Sequence, residues 1–167
     1  MVNYIFASNK SWHLEYFLEN RHRLKGNWSI ATCNEDLKEQ VITLLPRFIF
    51  FPHWSEIVPS DIFESNDCVC FHMTDVPFGR GGSPLQNLII LGHSETSITA
   101  LKMTNELDAG PVYLQRKLDL SGSALDIFKR AAPICFNMMM EIIMEEMDPR
   151  NQEGIPLVFK RKLPRES

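Results

Sequence analysis

Asn66-Asp67-Cys68-Val69-Cys70-Phe71-His72 decides the fold. Two turn residues open the run, four small or apolar residues follow, and a histidine closes it, which is how a buried strand looks when it starts at the surface and runs inward. His72 is then delivered at the strand's C-terminal edge. Upstream, residues 4–7, 28–32 and 48–51 are short β-branched or aromatic runs of the same kind, the last ended by Pro52. The stretches between them have helical spacing: one starts at Ser11 as a plausible cap and reaches about Arg21, with Trp12, Tyr16 and Phe17 turned to the sheet, and the other covers residues 35–45. Strands that alternate with helices in this way build an α/β, Rossmann-like domain, a mostly parallel sheet with helices on both faces. In such sheets ligands bind at the C-terminal edge, where His72 is expected.

Downstream, Phe78-Gly79-Arg80-Gly81-Gly82-Ser83-Pro84 reads as a loop, because three glycines in four positions disfavour regular structure. Ser83 would cap a helix with Pro84 in its first turn, running to about Leu91. Residues 97–103 and 112–118 form a C-terminal antiparallel strand pair joined by Thr104-Asn105-Glu106-Leu107-Asp108-Ala109-Gly110. From Ser123, the apolar residues Leu125, Phe128, Ala132, Cys135, Met139, Ile142 and Met147 recur at threes and fours, giving a long amphipathic helix whose methionines fill core. Val158 and Phe159 could add an edge strand. Residues 1–150 are read as one domain, and 151–167 as a tail that could begin a shortened accessory region.

At 167 residues, 44% hydrophobic and 23% charged, the chain can bury one core but not two independent ones. A formal net charge of -4 disfavours a phosphate-backbone partner, so no nucleic acid is expected. No stretch approaches the roughly 18 apolar residues of a membrane span, and the start lacks a secretion signal, so no membrane partner and a cytoplasmic location are expected. Cys33, Cys68, Cys70 and Cys135 contain no CxxC pair and read as reduced thiols, not as a metal site.

Local pattern leaves the chemistry open. His72, at a strand end before Thr74, Asp75 and Pro77, suits a general acid or base, and equally suits a histidine satisfied by nearby backbone. Asp108 lies in the only acidic loop flanked by strands, where it could partner His72 or close a turn on its own backbone. Neither has a serine or cysteine at nucleophile-elbow spacing, so acyl transfer without a covalent intermediate is the natural chemistry. The Gly79 to Gly82 segment is not GxGxxG, and Arg80 within it could hold an anion or simply be solvated.

The run Phe71-His72-Met73-Thr74-Asp75-Val76-Pro77-Phe78-Gly79-Arg80-Gly81-Gly82-Ser83-Pro84-Leu85-Gln86, followed by Leu107-Asp108-Ala109-Gly110, resembles the formyltransferases that use 10-formyltetrahydrofolate. That family includes methionyl-tRNA formyltransferase, glycinamide ribonucleotide transformylase and nucleotide-sugar N-formyltransferases. It shows a strand ending in Asn-x-His, an Arg-Gly loop and a later Leu-Asp-x-Gly. The resemblance implies a formyltransferase domain with His72 and Asp108 catalytic and 10-formyltetrahydrofolate as donor, and it needs no metal. It also places Cys70 where the family has its catalytic asparagine, a poor hydrogen-bond donor for a developing oxyanion. The pterin ring would be held by Trp54, Ser55, Glu56, Ile57 and Val58, and by Thr104, Asn105, Glu106 and Leu107. Lys10, Thr74, Arg80, Gly81 and Gln86 would face the acceptor.

The run most resembles formyltransferases of surface-polysaccharide pathways, which implies a nucleotide-linked amino sugar as the small-molecule acceptor and leaves a homodimer open. Methionyl-tRNA fits poorly, since those members carry a further domain and a basic surface. A glycinamide ribonucleotide transformylase, a formyltetrahydrofolate hydrolase and a retired folate or nucleotide binder are the alternatives, the last because of Cys70.

Overall fold

A computed structural model describes residues 1–162. Its main sheet has the order β2-β1-β3-β4-β6-β7. The strands β1 (Asn3–Ala7), β2 (Asn27–Ala31), β3 (Phe48–Pro52) and β4 (Asp67–His72) are parallel. Against β4 lies antiparallel β6 (Glu95–Lys102), then antiparallel β7 (Val112–Asp119). The central strands β1, β3 and β4 are mainly apolar because both sheet faces are covered there, whereas β2 and the antiparallel pair carry polar residues. Alternate residues serve alternate sides. Phe6, Phe50 and Val69 pack against α1 (Ser11–Asn20) and α5 (Ala124–Met144), while Ile5, Ile49, Phe51 and Cys68 pack against α2 (Asn34–Leu44) and α3 (Ser60–Ser65).

On α1 the buried residues are His13 and Phe17, one turn apart. Trp12 lies half-buried, stacked on Phe128 of α5, and Ser11 is the first helical residue, not the cap. The helix α5 begins with a capping box: Ser123 Oγ accepts the Asp126 amide, and Asp126 Oδ2 accepts the Ser123 amide. Its methionines Met138 and Met139 are buried, as the spacing predicts, but Leu125 is half exposed in the first turn, where Ile127 takes the buried place.

The expected glycine loop is a strand. β5 (Phe78–Gly81) pairs in parallel with β8 (Leu157–Phe159) in a separate two-stranded sheet, so β8 is not an edge of the main sheet. Glycine allows the pairing because Gly79 and Gly81 adopt positive φ, and because Phe159 passes where their side chains would be. A Cβ on Gly79 would meet the Phe159 ring at 2.8 Å, and one on Gly81 its carbonyl oxygen at 2.5 Å. Ser83 precedes α4 (Pro84–Ile90) but makes no cap; its hydroxyl accepts the Lys162 amide at 2.9 Å. The C-terminal segment is thus woven into the domain as far as residue 162; residues 163–167 of the expected tail lie outside the described residues. No described helix is long and apolar enough to cross a membrane.

Candidate active site

His72 ends β4 at the C-terminal edge of the parallel strands, and the Thr104 to Gly110 connection between β6 and β7 brings Asp108 beside it. Nδ1 of His72 lies 3.5 Å from Oδ1 of Asp108, and both side chains are about nine-tenths buried. Two backbone groups of β5 orient the pair: the Gly79 carbonyl lies 2.7 Å from His72 Nε2, and the Gly81 amide donates to Asp108 Oδ2 at 2.9 Å. A carbonyl can only accept, so Nε2 carries a hydrogen. Nδ1 is therefore the ring position free to take up or release a proton, with the carboxylate beside it to stabilise the imidazolium.

Asp108 itself adopts φ 53°, a left-handed conformation that aspartate tolerates better than most residues. Gln152, near the end of the chain, holds it there. Its Nε2 donates to the carbonyls of Asp108 (2.8 Å) and Gly110 (2.9 Å), and its Oε1 accepts from Arg80 Nε (3.0 Å) and Nη2 (2.7 Å). Gly110 fits because its backbone lies against the Lys102 carbonyl, which a Cβ would overlap.

The pair opens onto a cavity of about 670 Å³, a size suited to a cofactor or small substrate. One side is formed by Trp54, Glu56, Ile57 and Val58 after β3 and by Thr104, Asn105, Glu106 and Leu107 before Asp108. Asn34 fixes the first of these segments: its side chain accepts from Trp54 Nε1 at 3.2 Å and donates to the Ile57 carbonyl at 2.6 Å. Ile57 and Leu107 are 92% and 70% exposed at the cavity wall. Apolar side chains held open in this way suit the flat faces of a ring.

Cys70 also lines the cavity, with Sγ 3.6 Å from the Leu101 carbonyl. Burial, then the negative charge of Asp108, push its thiol well above the usual range, so it stays neutral and is no nucleophile. Gly81 reaches the cavity, whereas five expected contacts do not line it. Thr74 is fully buried, donating to the Gly79 carbonyl at 3.1 Å and accepting from Thr99. The Arg80 guanidinium is taken up by Gln152, with Glu106 at 3.8 Å. Gln86 is exposed on α4, Ser55 is exposed and bonded by Asn9, and Lys10 precedes α1.

Sequence reasoning missed Gln152 and also the histidines His13 and His53, which line the cavity together with Phe71, Met73, Phe128 and Cys135. Burial, with His53 nearby, pushes His13 down to about 3; burial, with Lys10 nearby, pushes His53 down to about 4. The available signal was the spacing of His13 and Phe17, one helical turn apart.

No protein-family model matches the chain. It is 26% identical over 134 residues to the methionyl-tRNA formyltransferase of a Nitratiruptor species, covering 78% of this chain and 44% of that protein. The chain thus spans less than half the length of this curated relative. Among solved structures, it is 44% identical to a methionyl-tRNA formyltransferase from Clostridium thermocellum, with a TM-score of 0.94 over 98% of this chain and 74% of that one. It shares the fold of a sugar N-formyltransferase from a Shewanella species, with a TM-score of 0.72 at 13% identity over 95% of this chain and 76% of that one. With 44% identity across nearly its whole length, the chain belongs to the formyltransferase family.

Proposed function

We propose that the protein transfers the formyl group of 10-formyltetrahydrofolate to the primary amine of a nucleotide-linked amino sugar. The observation that carries this reading is the buried His72 and Asp108 pair facing the cavity at the sheet edge. The donor's pterin would lie between Trp54 to Val58 and Thr104 to Leu107, bringing its formyl carbon to His72. The neutral amine attacks that carbon, His72 Nδ1 takes the proton the amine loses, Asp108 stabilises the imidazolium, and the proton returns to the folate nitrogen as the carbon-nitrogen bond breaks. The chain's negative net charge favours a small acceptor over tRNA. Methionyl-tRNA is the second reading, favoured by the name of the 44% identical relative.

The test is release of tetrahydrofolate from 10-formyltetrahydrofolate with a panel of nucleotide-linked amino sugars and with methionyl-tRNA. Release that depends on an amino sugar and is lost in both His72→Ala and Asp108→Ala supports the proposal. Release that depends on methionyl-tRNA replaces the acceptor, release without any amine makes the protein a hydrolase, and folate binding without release makes it a binder.

A further inference from the structure

The folate-facing wall accounts for only part of the cavity. Its other part lies toward α1 and α5, walled by Phe71, Met73, Ile98, Phe128, Ala131 and Cys135. Two imidazoles interrupt this apolar lining. His13 is only 5% exposed and His53 is half-buried, and neither ring hydrogen-bonds to a described residue; the buried nitrogens and oxygens left without a partner among those residues are Trp12 Nε1 and Gln40 Oε1, so the imidazole nitrogens open onto the cavity instead. Imidazole nitrogens that no protein group engages and that face a cavity in an otherwise apolar wall are placed to bond a ligand there. Strand register places this feature beside the reacting centre: Pro52 pairs with Phe71, so His53 and His72 leave neighbouring strands at the same level. The Phe128 ring, stacked on Trp12 with centroids 4.9 Å apart, lies 5.1 Å from the His53 ring and offers a flat apolar surface beside it.

We propose that His13, His53 and Phe128 form the acceptor subsite, and that it takes an uncharged, hydroxyl-bearing ring, the hexose of an amino sugar, with its amine directed to His72. This rests on the function proposed above and adds what the acceptor must carry. A neutral imidazole presents one donor and one acceptor, the same pair a hydroxyl presents, whereas a thioether side chain would leave both rings unpaired. Both histidines are held in the neutral form by burial. Lys10, whose charge reaches His53, lies outside the cavity lining. Lys102 is the only cationic side chain lining the cavity among the described residues, and it is paired with Asp67 at 3.3 Å. The nucleotide phosphates would therefore stay outside, and the sugar ring would enter.

The test follows the imidazole Cε1-H resonances of His13 and His53 by NMR while dTDP- and UDP-linked amino hexoses, dTDP alone and L-methioninamide are added in turn. Both resonances are expected to shift with an amino hexose and to stay in place with the other two. In steady-state kinetics His53→Phe, and His13→Phe if it folds, should raise the acceptor KM about tenfold, the effect of losing one hydrogen bond to the ligand, with tetrahydrofolate affinity unchanged within twofold. Resonances that stay fixed with every amino hexose, or that move with L-methioninamide instead, overturn the subsite. The two proposals fail separately: shifts without formyl transfer keep the subsite and remove the activity, whereas transfer to an amino hexose with fixed resonances keeps the activity and removes the subsite.

Discussion

Replacing Gln152 with alanine removes four hydrogen bonds at once, two from its amide nitrogen to the carbonyls of Asp108 and Gly110 and two to its oxygen from Arg80. Each neutral bond contributes about 1 kcal/mol net, and those from a charged guanidinium about 1.5 to 3. Gln152 is half-buried, so water can replace part of this, and a net loss of about 3 kcal/mol is expected. For a chain of this size that lowers Tm by about 6 to 12 °C. Activity should fall as well, because Asp108 adopts its left-handed backbone with its carbonyl tied to Gln152. A carboxylate displaced by about 1 Å from Nδ1 of His72 can cost about a hundredfold in kcat. Gln152→Glu separates the two effects. It retains an acceptor for Arg80 but sets a carboxylate against two carbonyl oxygens, so Tm should recover in part while kcat does not. Thermal unfolding and tetrahydrofolate release measure both. A Gln152→Ala protein with Tm within 2 °C and kcat within twofold of the parent would refute the clamp.

Three further outcomes follow from the geometry. Gly110→Ala sets a Cβ on the Lys102 carbonyl, and a loss of about 3 kcal/mol is expected; an unchanged denaturation midpoint would contradict it. Cys70→Asn places an amide donor on the cavity wall and should raise kcat about tenfold or more; an unchanged rate in the tetrahydrofolate-release assay would refute a missing oxyanion donor at this position. His13 and His53 titrate near 3 and 4 in the folded protein and near 6.5 when unfolded. The unfolded chain therefore binds more protons below pH 6.5, and the stability these residues contribute, complete above that pH, drains away as pH falls toward 4 and 3. By pH 5 the loss is on the order of 2 kcal/mol for each, and a Tm profile that is flat from pH 7 to 5 would count against it.

The parallel half of the fold was legible because strands 1 to 4 announce themselves locally, as short apolar runs bounded by turn residues. His72 was legible for the same reason, since the end of such a strand is where a ligand can be met. What escaped depends on partners far along the chain. Gln152 stands in a polar stretch with no local pattern, and its bonds reach groups 42 to 72 residues away. His13 was hidden by a helix whose stripe could be drawn through Trp12 as easily as through its neighbour, and the choice between them is made by Phe128 on α5, which takes Trp12 against its own ring.

The glycine segment shows most clearly how composition can mislead while still marking the right place. Three glycines in four residues disfavour a strand on propensity alone, and a phosphate cradle is the usual alternative. Here the strand forms because Phe159, some 80 residues on, needs the room that the missing side chains leave. The same absence turns two backbone groups into working parts, the Gly79 carbonyl on His72 and the Gly81 amide on Asp108. Side chains cannot replace them, because any Cβ at these positions collides with the strand that keeps β5 in place. The glycines therefore set the orientation of the His72 and Asp108 pair, and β8, far along the chain, is as necessary to that orientation as the strand that carries His72.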